Sequence, residues 1–217
     1  MAAVLDHVFI CTAIGAPAAL RLQQFGLTEG SPNRHPGQGT ACRRFFVRNA
    51  MLELIWVADA MESQSAETRR TRLWDRWSAA GNRASPFGII LRPEADSQAM
   101  CPFLSWEYRP ETMPGLVLDI AEDTGLEEPM WCYMGSGRPP APAPEKPIDH
   151  PGGFREITSI RVVCPPLPET SLTKTMAGMN VIALETGPKH LLIFEFDGGR
   201  QSGETDFRPD LPLVCRY

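Results

Sequence analysis

The segment Val4-Leu5-Asp6-His7-Val8-Phe9-Ile10, near the N-terminus, determines the architecture that we predict for the chain. Its apolar residues alternate around Asp6, which is typical of a β-strand. The residues that follow favour a helix, because Pro17 suits a first helical position and Gly26 suits a C-cap. The chain is therefore expected to begin with a strand followed by a helix.

Two β-rich runs come next, at residues 41–48 and 51–57, joined at Asn49-Ala50. This pattern predicts an antiparallel hairpin. A short strand is expected before it, at residues 27–31. The first 57 residues then have the order β-α-β-β-β.

The C-terminal third repeats this order. The predicted elements are a strand at 156–164, a helix at 168–179, a hairpin formed by 181–185 and 191–196, and a final strand at 211–216. Such repetition indicates an internally duplicated fold. The predicted fold class is therefore α+β.

The middle third is less regular. A polar helix is predicted over 62–80, ending at Gly81, and short strands at 86–92, 115–120 and 129–134, before a proline-rich extended loop at 138–147. The expected division is a first βαβββ module at 1–60, a linker helix with irregular strands and loops at 61–150, and a second βαβββ-like module at 151–217.

Composition limits the class of partner. The chain has 217 residues, 43% hydrophobic and 22% charged, which are ordinary values for a globular protein. Lys and Arg number 21 against 26 Asp and Glu, a net charge of −5, so electrostatics favours neither nucleic acid nor an anionic membrane as partner. A small-molecule ligand is expected instead.

The location expected from the sequence is the cytoplasm. The N-terminus lacks a basic region, and its longest uncharged run is short and interrupted by Gly15 and Pro17, so neither a signal peptide nor a membrane span is predicted. Six cysteines occur without a Cys-x-x-Cys pair. We interpret them as buried thiols in a reducing compartment.

Two residues stand out as candidates for chemistry. Alternation places His7 and Glu53 each among apolar neighbours on one face of a predicted strand. An imidazole with a carboxylate is half of a site for Zn, Fe, Mn or Ni, and Glu53 could equally act as a general base. The alternative is that the two side chains only hydrogen-bond to backbone or to each other.

The glycine-rich run His35–Thr40 is a second candidate, as a loop whose N–H groups bind a substrate anion with His35 as acid or base. A plain connecting loop is the alternative. Arg43 and Arg44 follow it and could hold a carboxylate, although they could also be solvated surface residues.

An ordered set of segments resembles the vicinal oxygen chelate superfamily, in particular its glyoxalase-like branch, which shares the glyoxalase, bleomycin resistance and dioxygenase fold. These segments are Leu5–Ile10, Gly26-Leu27, Arg34–Thr40 and Leu52-Glu53-Leu54, supported by Asp149–Gly152, Phe196–Gly199 and Arg208–Leu213. His150, within one of them, is a further substrate-binding candidate.

The resemblance implies tandem βαβββ modules that form curved mixed sheets around a cleft. It also implies a metal held by a His or Gln on the first strand and a Glu on the last strand of each module. His7 and Glu53 match the first module, whereas the second offers Ser159 in place of a His and Glu195 as carboxylate. Starting the second module at residues 87–89 instead puts Gly88 at the ligand position.

The function expected from the resemblance is binding of a small oxygenated organic molecule in the cleft. Metal-dependent lyase or isomerase chemistry would follow, with Glu53 or Glu195 moving a proton. The alternative is a metal-free protein that sequesters a small molecule, as resistance members of the superfamily do. The sequence leaves the oligomeric state undecided between a monomer and a homodimer, since fold relatives often pair modules across a dimer.

Overall fold

The computed structural model describes residues 3–79, 83–94 and 100–217. These residues form two mixed open sheets of eight and five strands with few helices. The predicted α+β class, with mixed sheets, is confirmed. Among the described residues no helix combines the length and the apolar character needed to cross a membrane.

The larger sheet consists of two four-stranded halves. The first half holds β1 (Ala3–Cys11), β2 (Asn33–His35), β3 (Thr40–Phe46) and β4 (Met51–Val57), with helix α1 (Ala19–Phe25) after β1. The second half holds β5 (Phe87–Pro93), β6 (Ser105–Tyr108), β7 (Leu118–Ala121) and β8 (Met130–Tyr133). The strand order is β2-β3-β4-β1-β5-β8-β7-β6.

The two halves have the same pairing scheme. The first strand of each half runs parallel to its last strand, as β1 does with β4 and β5 with β8, and the halves join through the antiparallel pair β1–β5. Residues 61–150, predicted as a linker region, thus supply the four strands that complete the larger sheet. The sequence pattern hid this, because β6, β7 and β8 have four residues each and show little alternation.

Two local predictions within residues 1–80 are wrong. No strand forms at 27–31, where one was expected; the corresponding strand is β2, at Asn33–His35. The single helix expected over 62–80 is two short helices, α2 (Ala60–Ser63) and α3 (Leu73–Ser78), with a 3₁₀ turn at Arg69–Thr71 between them. Arg72 has a positive φ of 57°, which ends the turn. Ala80 and Gly81, the predicted end, lie outside the described residues.

The smaller sheet is built from β9 (Ile157–Cys164), β10 (Ala183–Thr186), β11 (Leu191–Phe196), β12 (Glu204–Asp206) and β13 (Leu213–Arg216), with helix α4 (Leu172–Gly178). Its order is β10-β9-β11-β13-β12. The central pair β9–β11 is antiparallel, and each member has a parallel neighbour, as in the larger sheet. The hairpin predicted from 181–185 and 191–196 is wrong, because β10 and β11 lie on opposite sides of β9 and each pairs with β9. The C-terminal third is thus a shortened form of the same scheme.

Alternation along the strands gives the larger sheet two different faces. Val8 and Leu54 belong to an apolar core that also contains Val162 and Phe194 of the smaller sheet. Their neighbours in sequence point the other way, and Phe9, Ile55, Ile90 and Cys132 form a second apolar cluster. One face therefore packs on the smaller sheet, and the opposite face is left to carry a site.

Candidate functional site

A cavity of about 200 Å³ lies on the open face of the larger sheet, and we call it the ligand cavity. Its polar lining comes from the first half: His7, Asn33, His35, Gln38, Arg44 and Glu53. Its described second-half lining is mainly apolar and has no charged side chain: it includes Ile90, Leu116, Leu118, Ile120, Met130 and Met134, together with Tyr108 and Cys132. Each half thus supplies one chemical side of the cavity.

Glu53 stands at the centre of the polar side. It lies on β4, opposite Phe9 of β1 and Arg44 of β3, and is 6% exposed. Its Oε2 is 3.9 Å from His7 Nε2, and its Oε1 is 3.9 Å from His35 Nε2. These separations are too long for hydrogen bonds. One carboxylate therefore lies between two imidazoles, with a different oxygen facing each.

His7 is oriented by the residue before it. Its Nδ1 is 2.6 Å from Asp6 Oδ1, and the other carboxylate oxygen of Asp6 lies 3.6 Å from Nε of the buried Arg92. The register between β1 and β5 shifts between Leu5 and His7, so Asp6 sits in an irregularity of the ladder. Such an irregularity re-aims a side chain. The Asp6 carboxylate engages Nδ1 and leaves Nε2 facing Glu53.

His35 is held within the first half. Asn33 Nδ2 lies 3.0 Å from its Nε2, and its Nδ1 lies 2.9 Å from Thr40 Oγ1, which also accepts from Gln38 Nε2. With Asn33 donating to Nε2, the ring proton is on Nδ1. Burial lowers the pKa of His35, against the opposing charge of Glu53, so this imidazole is neutral at pH 7.

A second grouping includes a thiol. The ligand atoms of His35, Cys42 and Glu53 all lie within 4.8 Å of one another and could hold a metal ion. Cys42 is fully buried on β3, and burial together with the charge of Glu53 raises the pKa of its thiol. A metal would have to displace that thiol proton to use Cys42, because the thiolate is the ligand form.

Four of the predicted site residues meet in the ligand cavity: His7, His35, Arg44 and Glu53. Arg44 donates from Nε to the Ser31 carbonyl oxygen at 2.9 Å. Its guanidinium carbon lies 5.2 Å from the centre of the Phe46 ring. The cation is therefore held at the edge of the polar side.

Arg43 and His150 do not line the ligand cavity. Arg43 pairs with Glu29, its Nε 2.6 Å from Oε1, and this hydrogen bond raises the pKa of the guanidinium. His150 accepts from the Thr28 N–H at Nδ1 (3.0 Å) and faces the Phe46 carbonyl oxygen with Nε2 (2.7 Å), and burial lowers its pKa. Both side chains tie backbone segments together.

Glu195 lies on β11 of the smaller sheet, opposite Ser159. The Thr158 hydroxyl is 3.1 Å from its carbonyl oxygen and 3.4 Å from its Oε1. The structure does not bring it to His7 and Glu53. In the second half, Gly88 lies opposite Phe9, and the described second-half residues lining the ligand cavity include no His, Asp or Glu.

Sequence reasoning missed Asp6, Asn33, Gln38, Thr40 and Cys42. Gln38 and Thr40 lie within the glycine-rich run, and Cys42 follows Thr40 at strand spacing, so alternation along 40–46 could have placed them. Asn33 gave no signal, since β2 was expected elsewhere. The role of Asp6 depends on the register shift, which adjacency to His7 alone does not reveal.

Comparison with known proteins identifies the fold alone. The chain is similar to the crystal structure of a hypothetical protein from Staphylococcus aureus, with a TM-score of 0.52 and 10% sequence identity over 100% of this chain and 98% of that chain. No protein-family model and no curated protein matches the sequence. The many-stranded mixed sheets are compatible with a vicinal oxygen chelate fold.

Proposed function

We propose that this protein binds a small oxygenated organic molecule in the ligand cavity and is a glyoxalase-like member of the vicinal oxygen chelate superfamily. The observation that carries the proposal is the division of the lining into a polar first half and an apolar second half. Pockets of this kind orient a ligand through a few polar groups and bury its apolar part. The expected ligand has neighbouring oxygens at one end and an apolar body.

The superfamily assignment is supported by the positions of two residues. His7 is on the first strand of the first half and Glu53 on the last, and both line the same cavity. That is the placement which the resemblance in the sequence implies for metal ligands. The pairing of two halves with equal strand schemes supports it further.

The chain's residues fit a divalent metal, Zn, Fe, Mn or Ni, at Glu53. His7 and His35 each engage Nδ1 elsewhere, with Asp6 and Thr40, and turn Nε2 toward the carboxylate. A metal at His35 would replace Asn33 Nδ2 as the partner of its Nε2. Metal-binding histidines commonly have the second ring nitrogen held in this way. Bound there, the metal would act as a Lewis acid on oxygens of the ligand.

The residues themselves support lyase or isomerase chemistry. Glu53 is a buried carboxylate inside the cavity, placed to move a proton at a carbon beside a carbonyl group. Arg44, opposite Glu53 on β3, can hold a negative oxygen of the ligand. The apolar second half excludes water from the reacting end.

The second candidate is metal-free binding of the same class of molecule. It is favoured by Asn33 Nδ2, which already occupies Nε2 of His35, and by the lack of a His, Asp or Glu in the described second-half lining. In this case Glu53, Arg44 and the imidazoles would bind the ligand's oxygens by hydrogen bonds.

A ligand screen tests the proposal. The melting temperature of the full chain is measured with α-hydroxy carbonyls, vicinal diols and apolar control compounds. The affinity of each compound that raises the melting temperature is then measured by titration calorimetry. Leu118→Trp, inside the ligand cavity, should weaken binding at least about tenfold, because the added ring takes the ligand's space. Leu104→Trp, at a residue 86% exposed, is the matched control. Failure of every oxygenated compound, or equal binding by Leu118→Trp, contradicts the proposal.

A further inference from the structure

A second cavity, of about 220 Å³, lies next to the ligand cavity, and we call it the arginine cleft. Arg70, Arg72 and Arg76 line it together with Trp106 and residues 122–124. It shares Thr71, Ile120 and Met130 with the ligand cavity. None of its arginines has a part in the proposed function.

Arg76 is a buried cation that has no ion pair among the described residues. The residue is 3% exposed, and its Nη1 donates to the carbonyl oxygens of Ser85, Leu126 and Glu128 at 2.5, 3.2 and 2.7 Å. Its Nε is buried without a hydrogen-bond partner in the described part of the chain. Burial lowers the pKa of Arg76 to about 10, so it is still charged at pH 7. A buried cation in this state favours a bound anion.

Arg70 and Arg72 are only loosely paired. Their ion pairs, with Glu122 and Asp75, have N···O distances of 3.4 and 3.6 Å, whereas the exposed pair Arg208–Asp206 is at 2.5 Å. Long exposed pairs contribute little stability and exchange readily. Arg72 Nη1 also lies 3.4 Å from the Thr124 carbonyl oxygen. Both guanidiniums can exchange these long contacts for another anionic partner.

Trp106 fixes one of these cations. The guanidinium carbon of Arg70 lies 4.3 Å from the centre of the Trp106 ring, within cation–π distance. The stacking holds the guanidinium plane at the cleft while its N–H groups stay available. It also makes the indole a natural reporter of what Arg70 binds.

We infer that the arginine cleft is a binding site for a small oxyanion, a phosphate or carboxylate group, held by Arg70 and Arg72 with Arg76 beneath them. The anion takes the place of Glu122 as partner of Arg70. Planar guanidiniums are suited to such oxyanions, because they donate parallel N–H groups to two oxygens. The inference does not depend on a metal or a ligand at Glu53.

The test is a titration of the full chain with inorganic phosphate and, separately, with acetate at constant ionic strength, followed by tryptophan fluorescence. A saturable change is expected, and it should disappear in Trp106→Phe. The double variant Arg70→Gln/Arg72→Gln, at two arginines with largely exposed side chains, should weaken binding at least about tenfold. Arg208→Gln, at an exposed arginine in the turn between β12 and β13, should bind as the wild type does.

Saturation by phosphate alone assigns the cleft to phosphate groups, and saturation by both anions assigns it to oxyanions in general. Absence of saturation with either anion overturns the inference. So does a double variant that keeps its circular dichroism spectrum and binds phosphate with wild-type affinity. Glu53→Gln should leave the titration unchanged, which separates this site from the ligand cavity.

Discussion

His7 Nε2 and Glu53 Oε2 face each other at 3.9 Å from neighbouring parallel strands. The register opposes His7 to Met51 and Phe9 to Glu53, so the two side chains lie one alternation apart on the same face. The distance between the two side chains is set by the pairing of β1 with β4 in the larger sheet, and neither residue lies in a loop. Groups on strands are held more firmly than groups on loops, which suits a site that must position a ligand.

Asp6 should control metal binding through His7. Asp6→Ala removes the acceptor of the His7 Nδ1 proton, 2.6 Å away, so the ring loses its fixed orientation. Affinity for Zn²⁺, measured by competition with a chelator, should fall about 10- to 100-fold. Asp210→Ala, at an exposed carboxylate paired with Arg21, is the control and should leave it unchanged. Equal affinities in the two variants would show that Asp6 has no such role.

Gly88 should be intolerant of a side chain. A Cβ at this position would lie 2.0 Å from Phe9 Cε1, and the Phe9 ring is itself buried and lines the ligand cavity. Gly88→Ala should therefore cost about 1–3 kcal/mol in the free energy of unfolding. Gly178→Ala, where a Cβ meets nothing within 4 Å, should cost nothing. Urea unfolding compares them, and equal stabilities would refute the packing argument.

His150 should make stability depend on pH. Burial lowers its folded pKa below the ordinary value of 6.5, so the unfolded chain takes up a proton first as pH falls. Its contribution is complete above pH 6.5 and is lost as pH falls toward the folded pKa. His150→Gln should cost about 1–3 kcal/mol at high pH, because buried hydrogen bonds to Thr28 and Phe46 are lost.

The difference between wild type and His150→Gln should therefore be smaller at about pH 5.5 than at about pH 7.5, one unit either side of the ordinary histidine pKa. Urea unfolding at the two values measures it. His35 and His190 also have lowered pKa values, but both residues are present in the two proteins, so their contributions cancel in the comparison. A difference that stays constant or grows as pH falls would contradict the assignment.

Strand alternation predicts that His7 and Glu53 each lie on the apolar face of its own strand, and the family resemblance is what brought the two into one site. The second half escaped prediction as a unit, since β6, β7 and β8 have four residues each, which is too short for a clear alternating pattern. The C-terminal third repeats the strand order yet forms a separate sheet, so Glu195 satisfied the sequence pattern but lies away from the cavity. Pairing between distant strands is a long-range property that local periodicity does not encode.

Metal content tests the central claim most directly. The untagged protein is purified without chelator, incubated with Zn, Fe, Mn or Ni and analysed for metal, beside His7→Ala, Glu53→Gln and Glu195→Gln. We predict near-stoichiometric metal in the wild type and in Glu195→Gln, because Glu195 lies on the smaller sheet. The metal should be lost in His7→Ala and in Glu53→Gln. A wild type that binds none of the four metals, or a Glu53→Gln variant that keeps its metal, would contradict the account.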